Sequence, residues 1–230
     1  MIIGRLSNSS QTPRRFITNE ISQYCYIPIL KNAHSFGIRI FADFADFTEV
    51  PRLKTDKKYI VFLRNPINRW YSAVAQYVSM NFNDDGQILS YDEVKNTDIN
   101  NQTRKKIVLD TFILKLFFDA VRLDTHSDLQ LKELYGINTH NCVFFNLDDS
   151  EFNFNLLHFM KTKMKCRVPN EFTNQHQINF SKFSSFKTDI IRQLQDYTIL
   201  HPKALSSVNF YYREDFELIK DINFYNLRKV

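Results

Sequence analysis

The chain has 230 residues, 43% of them hydrophobic and 15% aromatic, which excludes a disordered tail and suits one sizeable core. A net charge of +5 fits an anionic ligand as readily as nucleic acid, and the three cysteines, Cys25, Cys142 and Cys166, lack the C-x-x-C spacing of a zinc site. With 22 Phe and 4 Gly the core is expected to be aromatic, and neither G-x-x-x-x-G-K-[ST] nor G-x-G-x-x-G occurs, so any phosphate site must be built without glycines.

Residues 1–20 are polar and read as a flexible arm ahead of a single domain over 21–230. The amino terminus lacks the apolar core of a signal peptide, and no run of about 18 apolar residues could span a bilayer. A soluble protein of a reducing, cytoplasmic compartment is expected. "YCYIPIL" over 24–30 reads as the first buried strand, with Pro28 placing it near an edge or at its own end. It stops on Lys31-Asn32-Ala33-His34-Ser35 instead of an ordinary turn of Gly, Pro or Asp. From Ser35 onward Phe36, Ile40, Phe41, Phe44 and Phe47 recur at three and four, the spacing of a helix with one aromatic face.

"KYIVFLRNP" supplies a second strand over 59–63, ended by Arg64-Asn65-Pro66, and Pro66 suits the opening of a helix over 67–80 that buries Trp70, Val74, Tyr77 and Val78. Strand, polar loop and helix have then appeared twice in a row. That alternation predicts an α/β fold with a central parallel sheet flanked by helices, and ligands at the carboxyl ends of its strands. Residues 81–103 read as a polar surface excursion. Residues 104–123 read as an apolar helix whose stripe of Phe112, Leu116, Phe117 and Val121 is core. A third strand over 141–147 is followed by a helix over 151–165, on which Lys161, Lys163 and Lys165 form a solvated face. A loop over 169–179 and helices over 184–200 and 204–220 close the chain.

The first turn of a helix leaves backbone N–H groups without partners and carries partial positive charge, and a lysine at the preceding strand end adds a full one. Lys31 before the first helix therefore reads equally as a solvated loop residue or as part of an anion cradle. At the second strand end Arg64 can fork onto a phosphate and Ser72, in the following helix, can donate a hydroxyl. The plain alternative is that Arg64 and Arg69 pair with surface carboxylates.

These residues carry a resemblance. "IPILKNAHSFGIRIF" resembles the 5′-phosphosulfate loop of the sulfotransferases that use 3′-phosphoadenosine 5′-phosphosulfate (PAPS), in particular their carbohydrate branch. "VFLRNPINRWYSAV" is similar to the 3′-phosphate motif of that family, with Arg64, Pro66, Arg69 and Ser72 in place. "DTHSDLQ" over 124–130 resembles a downstream D-x-H-x-x-P-Q segment, and "YYREDFELI" over 211–219 resembles the closing Y-x-x-D-F-E-L helix. The departures are His34-Ser35, where the family more often has Gly-Thr, Ser-Thr or Cys-Thr, and Leu129, which replaces the usual proline.

The resemblance implies a P-loop-like three-layer fold and transfer of a sulfuryl group from PAPS to a hydroxyl, that of a carbohydrate, by in-line displacement. It implies that Lys31 stabilises charge on the bridging oxygen as the sulfuryl group leaves. Asn32, Ala33, His34, Ser35 and Phe36 would hold the 5′-phosphate through backbone N–H groups and the Ser35 hydroxyl, and Arg64 and Ser72 would hold the 3′-phosphate. No metal, nucleic acid or membrane is required, and adenosine 3′,5′-bisphosphate would be the product. The acceptor hydroxyl must lose its proton, for which His126 and His34 are the candidates, followed by Asp84, Asp85 and Glu93; His176 would sit in a loop near the nucleotide. Two alternatives stay open: a nucleotide-dependent phosphotransferase, which would lack both Walker glycines and an obvious carboxylate pair for Mg²⁺, and a non-catalytic module for anionic glycans or nucleic acid.

Overall fold

The computed structural model describes residues 15–50, 56–81, 127–172 and 184–227, with backbone alone for 77–81, 184–187 and 189. Within the single domain expected over 21–230 the chain divides into two compact units. One comprises Met1–Asn65, Leu129–Asn179 and Asp215–Val230, the other Pro66–Asp128 and Phe180–Glu214.

The first unit is built on strands β1 (Phe16–Thr18), β2 (Tyr24–Ile27), β3 (Thr48–Val50), β4 (Lys58–Leu63) and β5 (Cys142–Asn146), which form one sheet in the order β3-β1-β2-β4-β5. The chain is therefore α/β, but the sheet is mixed. β2, β4 and β5 run parallel, in a register that pairs Ile27 with Val61 and Leu63 with Asn146, while β1 is antiparallel to both β2 and β3. This corrects the expectation of a parallel sheet, and the cause is the short connection between β1 and β2, which can join only antiparallel neighbours. That turn is held by Ser22 N donating to Asn19 Oδ1 at 2.7 Å, and by the buried Lys57 ammonium donating to the Asn19 and Ser22 carbonyls at 2.8 and 2.5 Å. β1 lies inside the arm expected over 1–20, and its three residues are buried. β2 is central, and its ladder stops at Ile27 because Pro28 brings no N–H.

Alternation along the strands sends side chains to two cores. On one face Tyr26, Ile60, Phe62 and Phe145 pack with Phe36, Ile40 and Phe41 of α1 (His34–Ala45) and with Leu156, Phe159 and Met160 of α3 (Phe152–Thr162). On the other, Cys25, Ile27, Val61, Leu63 and Phe144 meet Leu134 and Ile137, with Leu218, Ile219 and Ile222 packed alongside. α1 ends at Ala45 because Asp46 turns left-handed, with φ 53° and its N–H on Phe41 O, so Phe47 is core without being helical. α3 ends at Thr162 and Lys165 is left-handed (φ 61°), so Lys161, Lys163 and Lys165 do not share a helix face. The outer edge of β5 is partly covered by the C-terminal segment, where Phe224 bridges Phe144 and Tyr225 N donates to Phe144 O at 2.8 Å.

In the second unit α2 (Pro66–Asn81) packs against α4 (Ser184–Leu200), with the Tyr71 and Thr198 hydroxyls 2.5 Å apart, and α5 (Pro202–Tyr211) follows. Trp70 and Val74 are buried as expected, and the side chains of Tyr77 and Val78 lie outside the described residues. The single helix expected over 204–220 is broken at Tyr212, whose buried hydroxyl donates to Ser127 O at 2.5 Å. The chain resumes as α6 (Arg213–Asp221). The helix expected over 104–123 lies outside the described residues, as does the excursion from 82 onward. Among the described residues no helix is long and apolar enough to cross a membrane.

One contact of the first core is unusually close. A Cβ added to Gly37 would lie 2.3 Å from Tyr26 Oη, which is itself buried without a hydrogen-bond partner. Gly37→Ala is expected to destabilise the protein by about 1–3 kcal/mol through overpacking. Tyr26→Phe is expected to be neutral or stabilising, because it removes a buried hydroxyl that bonds nothing. Urea unfolding of the two variants checks both signs.

Candidate functional site

Lys31 and Arg64 leave the sheet at the same end, from the adjacent parallel strands β2 and β4, whose axes are roughly 5 Å apart. Beyond β2 the chain makes a tight turn in which Asn32 N donates to Ile29 O at 3.0 Å. Lys31 and Ala33 both take left-handed conformations, with φ 65° and 53°. For residues with a Cβ such conformations cost of order 1 kcal/mol each, and here they aim the chain into α1 without a glycine. Ala33 is the N-cap of α1 and brings no side-chain oxygen to the first turn, which also contains no acid. The positive end of α1 thus follows directly on Lys31, without a side-chain cap of its own.

The residues implicated at this loop fall into different roles. Lys31 and His34 are half-buried, and Ser35 is exposed. Asn32 is fully buried and its N–H is engaged in the turn, so it builds the loop from within. Phe36 sends its ring into the core, 5.5 Å edge-on from Phe172. His34 opens α1, within electrostatic reach of Glu49. The Glu49 carboxyl lies below its ordinary range, chiefly through its hydrogen bond from Arg15 and to a smaller extent through its attraction to Arg15 and His34.

At the end of β4, Arg64 Nε donates to Asp148 Oδ1 at 3.3 Å, and the other oxygen of that carboxylate accepts from Asn65 N at 2.5 Å. Arg64 is therefore paired, as the plain alternative supposes, but through Nε. Among the described residues its two terminal amino groups have no partner, and the side chain remains 32% exposed. Arg69 is different: it is buried in the second unit and donates to the backbone carbonyl of Asp128. Ser72 lies on α2 in the second unit, half-buried. His126, His176, Asp84, Asp85 and Glu93 lie outside the described residues.

What joins the two strand ends is a buried side chain that periodicity did not single out. The Gln130 Oε1 accepts from Asn32 Nδ2 at 2.5 Å and from Arg64 N at 3.0 Å, while its Nε2 donates to Arg64 O at 2.9 Å. Asn32 Nδ2 also reaches back to Phe62 O at 2.8 Å. Gln130 is held in turn by Asp215 at the start of α6. The buried Asp215 carboxylate accepts from Gln130 N at 2.9 Å and from Leu131 N at 2.8 Å, capping the 3₁₀ turn Gln130–Leu134. Gln130 and Asp215 fall in the two segments whose resemblance is weakest, "DTHSDLQ" and "YYREDFELI". That resemblance was the one sequence signal pointing to them.

Burial pushes the Cys25 and Cys142 thiols up to about 12 and also raises that of Cys166, which disfavours the thiolate at each. Among the described residues no cluster of His, Cys, Asp or Glu could hold a metal ion. No protein-family model, curated protein or solved structure matches the chain.

Asp215→Ala leaves two buried N–H groups without an acceptor and is expected to lower stability by about 3 kcal/mol. A change below about 1 kcal/mol in urea unfolding would show that solvent replaces the carboxylate there.

Proposed function

We propose that the protein is a PAPS-dependent sulfotransferase acting on a hydroxyl, that of a carbohydrate, within a P-loop-like three-layer fold. The observation that carries this proposal is the buried Gln130 bridge, which holds the loop after β2 and the loop after β4 side by side at the carboxyl edge of the sheet. Two cationic loops fastened at one edge suit a ligand with two separated anionic groups, and both loops carry the residues of the sulfotransferase motifs.

Lys31 and the first turn of α1 bind the 5′ end of the donor, and the ammonium of the half-buried Lys31 stabilises negative charge on the bridging oxygen as the bond to sulfur breaks. Asn32 gives that loop its shape and contributes no N–H of its own to the ligand. Arg64 grips the 3′-phosphate with its two terminal amino groups, while Asp148 holds Nε. Ser72 enters as a second donor for that phosphate through the family resemblance alone. Sulfuryl transfer, like phosphoryl transfer, is accelerated mainly by alignment and by charge placed where charge develops. The proton of the acceptor hydroxyl goes to a base opposite the leaving group, His126 or His34.

Because Lys31 is left-handed, Lys31→Gly removes the ammonium while easing the backbone, which separates charge from fold. With labelled PAPS and a panel of carbohydrate acceptors, transfer by the wild-type chain is expected to fall at least about a hundredfold in this variant, the scale of a lost transition-state contact. An unchanged thermal midpoint should accompany that loss. Transfer undiminished in Lys31→Gly contradicts the role of Lys31, and transfer from ATP in place of PAPS contradicts the function.

A further inference from the structure

We infer that Gln130 is a positioning residue that sets the spacing of two anion-binding loops, so that a ligand engaging both is held far more tightly than one engaging either. This inference rests on the proposed function, and it assigns to Gln130 and Asp215 a task that neither charge nor proximity to a reacting atom would suggest.

The geometry is specific to Gln130. Its amide oxygen has two acceptor positions, and they take one donor from each loop: the Asn32 side chain on the β2 side and the Arg64 backbone on the β4 side. Its amide nitrogen closes a ring on the Arg64 carbonyl, so the backbone of Arg64 is gripped at both of its polar groups. Asn32 sits between Lys31 and Ala33, the two left-handed residues that steer the chain into α1. A shift of Gln130 therefore moves both loops, and a fixed Gln130 fixes their separation. Burial of Asn32 and Gln130 keeps water from substituting for the bond between them, and the two bonds to Arg64 are partly buried. Asp215 anchors the backbone of Gln130 independently of its side chain, and truncating the side chain leaves that anchor in place.

Two linked binding events reinforce each other only when the distance between the sites matches the ligand. Loosening the bridge should leave each loop competent for a single phosphate and should remove the advantage of carrying two. A general loss of fold would weaken every ligand alike.

The test measures binding of adenosine 3′,5′-bisphosphate, adenosine 5′-monophosphate and adenosine 3′-monophosphate to the full chain and to Gln130→Ala by calorimetry. The bisphosphate is expected to weaken by about tenfold or more, and each monophosphate by less than about threefold. Gln130→Glu serves as the second variant: it retains acceptor oxygens for Asn32 and Arg64 N but cannot donate to Arg64 O, and it places a negative charge between the loops. It should weaken the bisphosphate most of all. Equal weakening of all three ligands, or none, in whichever variant folds overturns the positioning role while the proposed function stands. A wild-type chain that binds the bisphosphate no more tightly than the monophosphates overturns the function and this inference with it.

Discussion

A single buried amide, that of Gln130, is the constraint on which the candidate site depends. Parallel strands bring their carboxyl ends to one edge of a sheet, but the loops beyond them are free to diverge unless something fastens them. In this chain the fastening is three hydrogen bonds from one buried side chain, the one to Asn32 fully buried and the two to Arg64 partly so. Each such bond contributes about 1 kcal/mol net, but leaving its buried partner unpaired costs more, so the arrangement resists partial opening. The Asp215 carboxylate extends this resistance into α6.

The rest of the first unit follows from the scarcity of glycine. A loop that curls from a strand into a helix needs left-handed residues, and here Lys31 and Ala33 supply them despite their Cβ atoms. The strain is balanced by what surrounds it: Asn32 buried and bonded to Phe62 and Gln130, Phe36 locked against Phe152 and Phe172, and Gly37 placed where Tyr26 leaves no room for a side chain. The two left-handed residues both lie in the loop after β2, and backbone held in this way keeps a loop in one shape before any ligand arrives. Asp148 adds a counterweight, holding Arg64 by Nε and leaving its two terminal amino groups uncommitted among the described residues.

Local pattern in the chain was a good guide to the strands that end on cations. Apolar runs stopping at Lys31 and Arg64 are short-range signals, and β2, β4, β5, α1 and the start of α2 stand within a few residues of where periodicity places them. β1 was not legible, because Phe16–Thr18 is three residues long inside a polar stretch and is a strand only by virtue of its neighbours. The mixed sheet follows from that same miss. Gln130 was visible only as the last letter of a weak family echo, since the bond it makes to Asn32 joins positions 98 apart and leaves no periodic trace. Asp148 was not legible as the partner of Arg64, because nothing in its own neighbourhood marks which of several nearby acids would face an arginine 84 positions earlier.

The central claim is that one ligand with two anionic groups spans the loops after β2 and β4. The most direct measurement is a crystal structure of the wild-type chain with adenosine 3′,5′-bisphosphate. One phosphate should lie at the first turn of α1 beside the Lys31 ammonium, the other on the terminal amino groups of Arg64, with the Gln130 bridge intact beneath them. A bisphosphate bound elsewhere, or bound with Gln130 withdrawn from Asn32 and Arg64, would contradict the account.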